Sequence, residues 1–157
     1  MIEFPKSIKM VITDFDGIVT DNCIYIDENK NISRKLNFKD IMAFSLLKKN
    51  NYKIGIISGE TNSAIDLIKE KFNIEETHQG IRNKLEILKD IVNKYNLTLE
   101  EFIYIGDDVN DFDSLNFAKY AVTVPDAVEK IKSIPHIKIT NKKGGDGAFR
   151  EIVDSLI

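Results

Sequence analysis

Short apolar runs alternate with longer amphipathic segments along this chain, and this alternation constrains the fold more than any other feature. Such an order predicts right-handed βαβ units and a parallel sheet covered by helices on both faces. We therefore predict an α/β, three-layer, Rossmann-like fold. The predicted strands are Met10–Thr13, Tyr52–Ile57, Phe102–Ile105, Ala121–Val124 and Ile137–Ile139, with a short extended segment at Thr77–Gly80.

Apolar periodicity and capping residues predict the helices between these strands. Asp40 is expected to cap the first helix, and Thr61 or Asn62 the second. The predicted helices span about 40–50, 62–72, 84–95, 111–118, 127–131 and 148–156. A β-hairpin is predicted from Ile24–Ile26 and Arg34–Phe38, which flank the polar turn Asp27–Asn31.

Length and charge limit the class of protein. The 157 residues fit a single domain spanning 1–157. A formal net charge of -3 gives no general reason to expect nucleic-acid or anionic-membrane partners. The sequence contains no visible signal peptide and no apolar run long enough to span a membrane. We therefore expect a soluble, cytoplasmic protein, in which the single Cys23 is a small, partly buried side chain.

Two acidic groups directly follow predicted strands. Asp14 and Asp16 follow the first strand in an Asp-x-Asp-Gly-x-x-Thr pattern, and a spacing of two directs both side chains the same way in extended chain. Asp107, Asp108 and Asp111 follow a later strand. Turn formation and helix capping also use Asp, so either group alone could be structural. Since crowded carboxylates repel, a hard cation such as Mg²⁺ is the natural compensation.

A hydroxyl and a lysine lie at two further positions where they could join the acidic groups in one site. Ser58 and Gly59 end another strand, where a hydroxyl and backbone N–H groups can hold a phosphoryl oxygen, although Ser-Gly is also a common turn. Lys84 begins a predicted helix, where its charge opposes the helix dipole; it could neutralise a phosphate or Asp14, or be a solvated surface residue. Phosphoryl transfer needs a nucleophile, an acid and groups that offset the charge on oxygen.

At these residues the sequence resembles the haloacid dehalogenase superfamily of phosphatases. The resemblance implies that Asp14 is the nucleophile and Asp16 the general acid and base. It also implies that Ser58 and Lys84 hold the phosphoryl group. Mg²⁺ would be held by Asp14, the backbone carbonyl of Asp16 and Asp107. Asp108 and Asp111 would support the metal site.

The short segments at 20–40 and 84–102 leave no room for a cap domain, so the chain resembles the capless branch of that superfamily. This branch includes 3-deoxy-D-manno-octulosonate 8-phosphate phosphatase and the nine-carbon nonulosonate 9-phosphate phosphatases. The resemblance implies a homotetramer whose hairpins pack together. Asn37 and Asp40 resemble the branch's substrate-facing segment. Arg150 resembles an arginine that could bind a sugar carboxylate, or could form an ordinary ion pair.

The substrate preference within the branch depends on few positions. Where the octulosonate enzymes commonly have Gly-Arg, this chain has Gly59 and Glu60, followed by Lys71. This pattern resembles the nonulosonate enzymes and favours a nine-carbon acid phosphate, such as a neuraminate 9-phosphate, over the eight-carbon one. Two further hypotheses are a phospho-accepting receiver domain and a degenerate, non-catalytic assembly domain associated with a sialic-acid-activating cytidylyltransferase. The retained Asp14, Asp16, Lys84 and Asp107 favour an enzyme.

Overall fold

A computed structural model describes residues 2–157. Its sheet has six parallel strands in the order β5-β4-β1-β6-β7-β8, and β2 and β3 form a separate antiparallel hairpin. The strands are β1 (Met10–Thr13), β2 (Tyr25–Ile26), β3 (Ile32–Ser33), β4 (Lys53–Ile57), β5 (Glu76–His78), β6 (Phe102–Ile105), β7 (Tyr120–Thr123) and β8 (Lys138–Ile139). The predicted parallel α/β fold is confirmed.

The helices cover the sheet on both faces. Helix α1 packs against α2 and α6, and α3 packs against α4. The helices are α1 (Phe38–Lys49), α2 (Ser63–Phe72), α3 (Lys84–Lys94), α4 (Phe112–Phe117), α5 (Glu129–Lys132) and α6 (Ala148–Asp154), with a 3₁₀ turn at Val109–Asp111. Among these described helices, none combines the length and apolar character that crossing a bilayer requires.

Strand β1 lies at the centre of the sheet. Met10 of β1 pairs with Lys53 of β4 on one side and with Phe102 of β6 on the other. The run Met10–Thr13 is completely buried, as expected for a strand covered on both faces. Because all strands run the same way, their carboxyl ends meet at one edge, where the predicted polar groups come together.

Three local predictions were wrong. Cys23, which was predicted to be partly buried, is exposed in the loop before β2. The N-cap of α1 is Asn37, whose side chain accepts a hydrogen bond from Lys39 N–H, and Asp40 lies buried in the first turn instead.

The second hairpin arm is Ile32–Ser33 rather than Arg34–Phe38. The Asp27 carboxylate accepts hydrogen bonds from Asn29 N–H and Asn31 N–H, so the turn closes early and pairing resumes directly after it.

Candidate active site

The first acidic loop continues directly from β1. Asp14 N–H donates to the carbonyl of Ile105, which holds the start of the loop in line with the sheet. Gly17 has φ +91°, and a Cβ at this position would overlap the Asp107 carboxylate. The glycine therefore allows the loop to turn and to pass directly against the second acidic group.

Lys84 joins the two acidic groups beneath the site. Its Nζ lies 2.9 Å from Asp14 Oδ1 and 2.9 Å from Asp111 Oδ1, and its side chain is completely buried. Tyr104 Oη donates a 2.8 Å hydrogen bond to the same Asp111 oxygen. Burial alone would lower the pKa of Lys84, but the carboxylates of Asp14 and Asp111 raise it above its ordinary value. The lysine is therefore a fixed positive charge beside Asp14.

The remaining oxygen of Asp111 organises the loop that follows β6. Asp111 Oδ2 accepts hydrogen bonds from Asp107 N–H at 3.2 Å and from Asp108 N–H at 3.5 Å. The Asp108 carboxylate in turn accepts a 2.6 Å bond from Val109 N–H and caps the 3₁₀ turn. Both oxygens of Asp111 are thus occupied by groups of the chain, which fits a supporting role rather than a direct contact with a ligand.

Negative charge exceeds positive charge at this strand edge. Burial and then the neighbouring Asp111 raise the pKa of Asp14 well above its ordinary value, against the opposing effect of Lys84. Burial, Asp111 and Asp108 raise the pKa of Asp107 to about 7. Carboxylates from Asp14, Asp107 and Asp111 approach within 4.8 Å of one another. The cluster is short of compensating charge, so a bound cation would stabilise its ionised form.

The donor set fits Mg²⁺. Among the described residues, the buried Asp107 Oδ1 has no hydrogen-bond partner. Mg²⁺ prefers oxygen ligands and is commonly held by one or two carboxylates together with substrate phosphate and water. Asp14 and Asp107 supply such carboxylates at the floor of the site, with only 5% of each residue exposed.

Asp16 lies two residues beyond Asp14 in the same loop. Its Oδ1 accepts a 2.8 Å bond from Arg34 Nε and a 3.0 Å bond from Thr20 Oγ1. Asn62 Nδ2 lies 3.5 Å from Oδ2. These contacts fix the Asp16 carboxylate, and none of them involves Asp14 or Lys84.

A cavity of about 200 Å³ opens above these carboxylates. Ser58 is almost completely buried at the end of β4, and its Oγ accepts a 3.2 Å bond from Glu60 N–H. The cavity brings together the predicted groups of three strand ends. Its lining residues are Asp14, Asp16, Asn22, Ser58, Gly59, Glu60, Asp107, Asp108 and Asn110.

Comparison with known proteins agrees with this geometry. The family model of haloacid dehalogenase-like hydrolases matches residues 20–152, which is most of the chain. The chain belongs to the haloacid dehalogenase-like hydrolase family. The predicted family membership is thereby confirmed, and with it the expectation of a hydrolytic enzyme.

Among curated relatives, 3-deoxy-D-manno-octulosonate 8-phosphate phosphatase of Salmonella typhi is 29% identical over 153 residues, covering 97% of this chain and 80% of that protein. The Moraxella catarrhalis phosphatase of the same name, solved with magnesium, phosphate and a KDO molecule, has a TM-score of 0.88 and 29% identity, covering 95% of this chain and 85% of its own. A cobalt-bound phosphatase from Haemophilus influenzae has a TM-score of 0.88 and 26% identity, with 96% and 88% coverage. These similarities agree with the capless architecture and with the expected metal site.

Some predicted substrate contacts of this hydrolase do not line the cavity. Asp40 is buried, and its oxygens accept 3.0 Å bonds from Gly147 N–H and Arg150 N–H. Burial raises the pKa of Asp40, although these backbone N–H groups oppose the shift. Asn37 caps α1 and donates to the carbonyl of Gly145. Both residues therefore contact the C-terminal glycine segment, and their predicted contact with a substrate stays a prediction.

The other two predicted contacts lie further away. Lys71 is exposed near the end of α2, while the cavity adjoins the beginning of that helix. With a rise of about 1.5 Å per residue, a helix of this length separates the two by more than 10 Å. Arg150 Nε forms a 2.6 Å ion pair with Asp154 along α6, which is the structural alternative left open by the sequence.

Sequence reasoning missed the polar residues that surround the predicted acids. Arg34 was assigned to a hairpin strand, yet it pairs with Asp16 from beyond the end of β3. Asn62 was expected only as a helix cap; it does cap α2 and also approaches Asp16. Asn22 reaches the cavity from a loop and Asn110 from the 3₁₀ turn. A basic or amide residue in a loop or a single short turn carries no periodic signal, so only the tertiary fold identifies these neighbours.

Proposed function

We propose that this hydrolase is a magnesium-dependent phosphatase that cleaves a sugar-acid phosphate monoester through a phospho-aspartate formed on Asp14. The observation that carries the proposal is the buried Asp14–Lys84 pair at the floor of an acidic cavity. A carboxylate held beside a buried cation and open to a cavity is suited to attack an anionic phosphate.

In the first step, an Asp14 oxygen attacks phosphorus in line with the bond to the sugar oxygen. The new acyl-phosphate bond forms as the phosphorus–oxygen bond to the sugar breaks. Asp16 gives its proton to the leaving sugar oxygen, which departs as an alcohol. Lys84 offsets charge on Asp14, and Ser58 at the end of β4 offers its hydroxyl to a phosphoryl oxygen.

In the second step, water attacks the same phosphorus atom. Asp16, now a carboxylate, takes a proton from that water, and the acyl-phosphate bond breaks to regenerate Asp14 and release inorganic phosphate. Arg34 and Thr20 hold the Asp16 carboxylate through both steps.

Asp14, Asp107 and the backbone carbonyl of Asp16 would hold Mg²⁺. When bound, Mg²⁺ supplies positive charge that offsets the phosphate and the surrounding carboxylates. The unpartnered Asp107 Oδ1 and the shortage of positive charge in the cluster support this assignment.

The names of the relatives support 3-deoxy-D-manno-octulosonate 8-phosphate as the first substrate to test. One local feature keeps a nine-carbon nonulosonate 9-phosphate as the second. Glu60 is exposed on the cavity lining and places a negative charge at the mouth, where the octulosonate enzymes resembled by the sequence commonly have arginine. Lys71, the other residue that suggested a nine-carbon acid, does not line this cavity.

The test is phosphate release with Mg²⁺ from the octulosonate 8-phosphate, nonulosonate 9-phosphates and simple hexose phosphates. We expect kcat/KM for one of the sugar-acid phosphates to exceed that for every hexose phosphate. Equal rates across the panel would contradict sugar-acid specificity. No turnover of any member by Mg²⁺-loaded protein would instead favour the non-catalytic assembly domain. A cytoplasmic location remains a prediction from the sequence.

We also propose that copies of this chain assemble through the hairpin as a homotetramer. The hairpin exposes four large apolar side chains to solvent. Each is at least half exposed: Ile24, Tyr25, Ile26 and Ile32. Exposed apolar patches of this kind are typical of protein–protein contacts. Light scattering after gel filtration should give the tetramer mass, and Ile26→Asp should lower it. A monomeric wild-type protein would contradict the assembly.

A further inference from the structure

Asn22 adopts a backbone conformation that few side chains tolerate. Its φ of +61° is in the left-handed region, where asparagine is favoured among residues other than glycine. Asn22 N–H donates a 3.3 Å bond to Thr20 Oγ1, the same hydroxyl that donates to Asp16. The turn therefore fixes Asn22 immediately after the catalytic loop, at the mouth of the cavity.

The side chain of Asn22 reaches the second acidic group. Its Nδ2 donates to Asp107 Oδ2 at 3.4 Å. The other Asp107 oxygen, Oδ1, is buried without a partner among the described residues. Gly17 packs closely against the same carboxylate, so that any Cβ there would overlap it. One side of the Asp107 carboxylate is thus held by the chain, and the other oxygen remains available.

We propose that Asn22 is a positioning residue for the metal site: its amide holds Asp107 Oδ2 and thereby leaves Oδ1 oriented for Mg²⁺. This inference rests on the proposed magnesium-dependent function. Groups that hydrogen-bond to a metal ligand typically alter metal affinity 10- to 100-fold when they are removed. Because the bond is long and Asn22 is exposed, we expect an effect at the lower end of that range, about tenfold.

A purely structural role for Asn22 makes a different prediction. If asparagine is present only because the turn needs φ above zero, glycine should replace it without consequence. Asn22→Gly removes the amide while keeping the backbone conformation accessible, so it separates the two roles. The chain also offers a matched control. Asn51 has φ +62° and is exposed. It lies just before β4, at the amino-terminal ends of the strands, whereas the site lies at their carboxyl ends.

The experiment is a Mg²⁺ titration of wild type, Asn22→Gly and Asn51→Gly by isothermal calorimetry, with unfolding midpoints measured in EDTA. We expect the dissociation constant for Mg²⁺ to rise about tenfold in Asn22→Gly and to stay within about twofold of wild type in Asn51→Gly. Midpoints in EDTA should be similar for the two variants, which shows that both are folded.

Two results would overturn the inference, and they differ in what they imply. If wild type binds Mg²⁺ and Asn22→Gly binds it equally well, the positioning role is wrong while the proposed function stands. If wild type itself binds no Mg²⁺, the positioning role and the proposed magnesium dependence fall together. Weaker binding in both variants alike would also contradict the role, because the loss would then follow from glycine substitution and not from the Asp107 contact.

Discussion

The buried acid of the edge strand and the buried acids of the active site differ in how many hydrogen-bond donors and cations surround them. Glu76 on the edge strand β5 is 4% exposed, yet three side chains serve its two oxygens. Lys94 and Tyr95 Oη contact Oε1, and His78 Nε2 lies 2.9 Å from Oε2. Burial alone would raise the pKa of Glu76, but the bonds from Lys94, His78 and Tyr95 lower it below its ordinary value.

The cavity acids lack such compensation. Asp14 and Asp111 share the single buried ammonium of Lys84, and Asp107 Oδ1 has no partner among the described residues. The pKa of Asp107 is accordingly raised, while that of Glu76 is lowered. Burial alone therefore does not mark a functional acid. A buried carboxylate with its own donors stabilises the fold, whereas an undercompensated group needs an external cation.

The largest expected effect is on catalysis at the cavity acids. Asp14→Asn should reduce turnover by at least about 10⁴-fold, because an amide cannot act as the nucleophile. The fold should remain intact, as judged by circular dichroism and the unfolding midpoint. Asp113→Asn changes an exposed acid of α4 in the same way and should retain activity. Full turnover by Asp14→Asn would overturn the assignment of the nucleophile.

The next effect is on stability and concerns the shared cation. Lys84→Met should lower the free energy of unfolding by about 3–5 kcal/mol in EDTA, since it leaves Asp14 and Asp111 buried without their cation. Urea denaturation measures the change. Lys119→Met removes an exposed partner of Glu100 and should lower the free energy of unfolding far less than Lys84→Met, because a surface ion pair is screened by water. Equal losses in the two variants would remove the distinction between buried and exposed pairs.

When the metal is removed, the free energy of unfolding should depend on pH because of the active-site carboxylates. Because the folded-state pKa of Asp107 is raised to about 7, the folded protein retains a proton that the unfolded chain releases at lower pH. Stability in EDTA should therefore fall as pH rises from about 5 to 7, by at most about 1.4 kcal/mol per pH unit from this group. Asp14 acts in the same direction. Saturating Mg²⁺ should reduce this slope; identical slopes with and without Mg²⁺ would contradict a cation site here.

The smallest effect is expected at the compensated acid. Glu76→Gln should cost about 1–3 kcal/mol of stability, because it weakens charge-assisted hydrogen bonds, with little change in kcat. The difference from wild type should shrink as pH falls below the ordinary pKa of glutamate towards the lowered pKa of Glu76, because the carboxylate then becomes protonated. Glu75→Gln, at the exposed neighbouring position, serves as the control. A large loss of turnover in Glu76→Gln would show that Glu76 affects catalysis and would contradict its purely structural role.

Several features could be predicted because they depend on local pattern. Met10–Ile12 is an apolar run that Thr13 extends, and only a strand covered on both faces buries such a run completely. The acids after β1 and β6 were predicted to meet because parallel strands end at one edge. The cavity does bring Asp14, Asp16, Ser58 and Asp107 together, as that argument requires.

Other features could not be predicted because they depend on contacts between distant segments. Asp40 had the sequence context of a helix cap or a substrate contact. The structure instead gives it the backbone N–H groups of Gly147 and Arg150, more than 100 residues away. Arg34 likewise had no local pattern that connected it to Asp16.

The succession of strands along the chain and the residue types at each strand end follow from the amino-acid sequence, and with them the kind of chemistry that is available. The number of donors that each buried acid receives depends on the folded structure. Hydrophobic periodicity is a local property that can be recognised in the linear sequence. Electrostatic compensation depends on distances of a few ångströms between residues such as Asn22 and Asp107, which folding alone establishes.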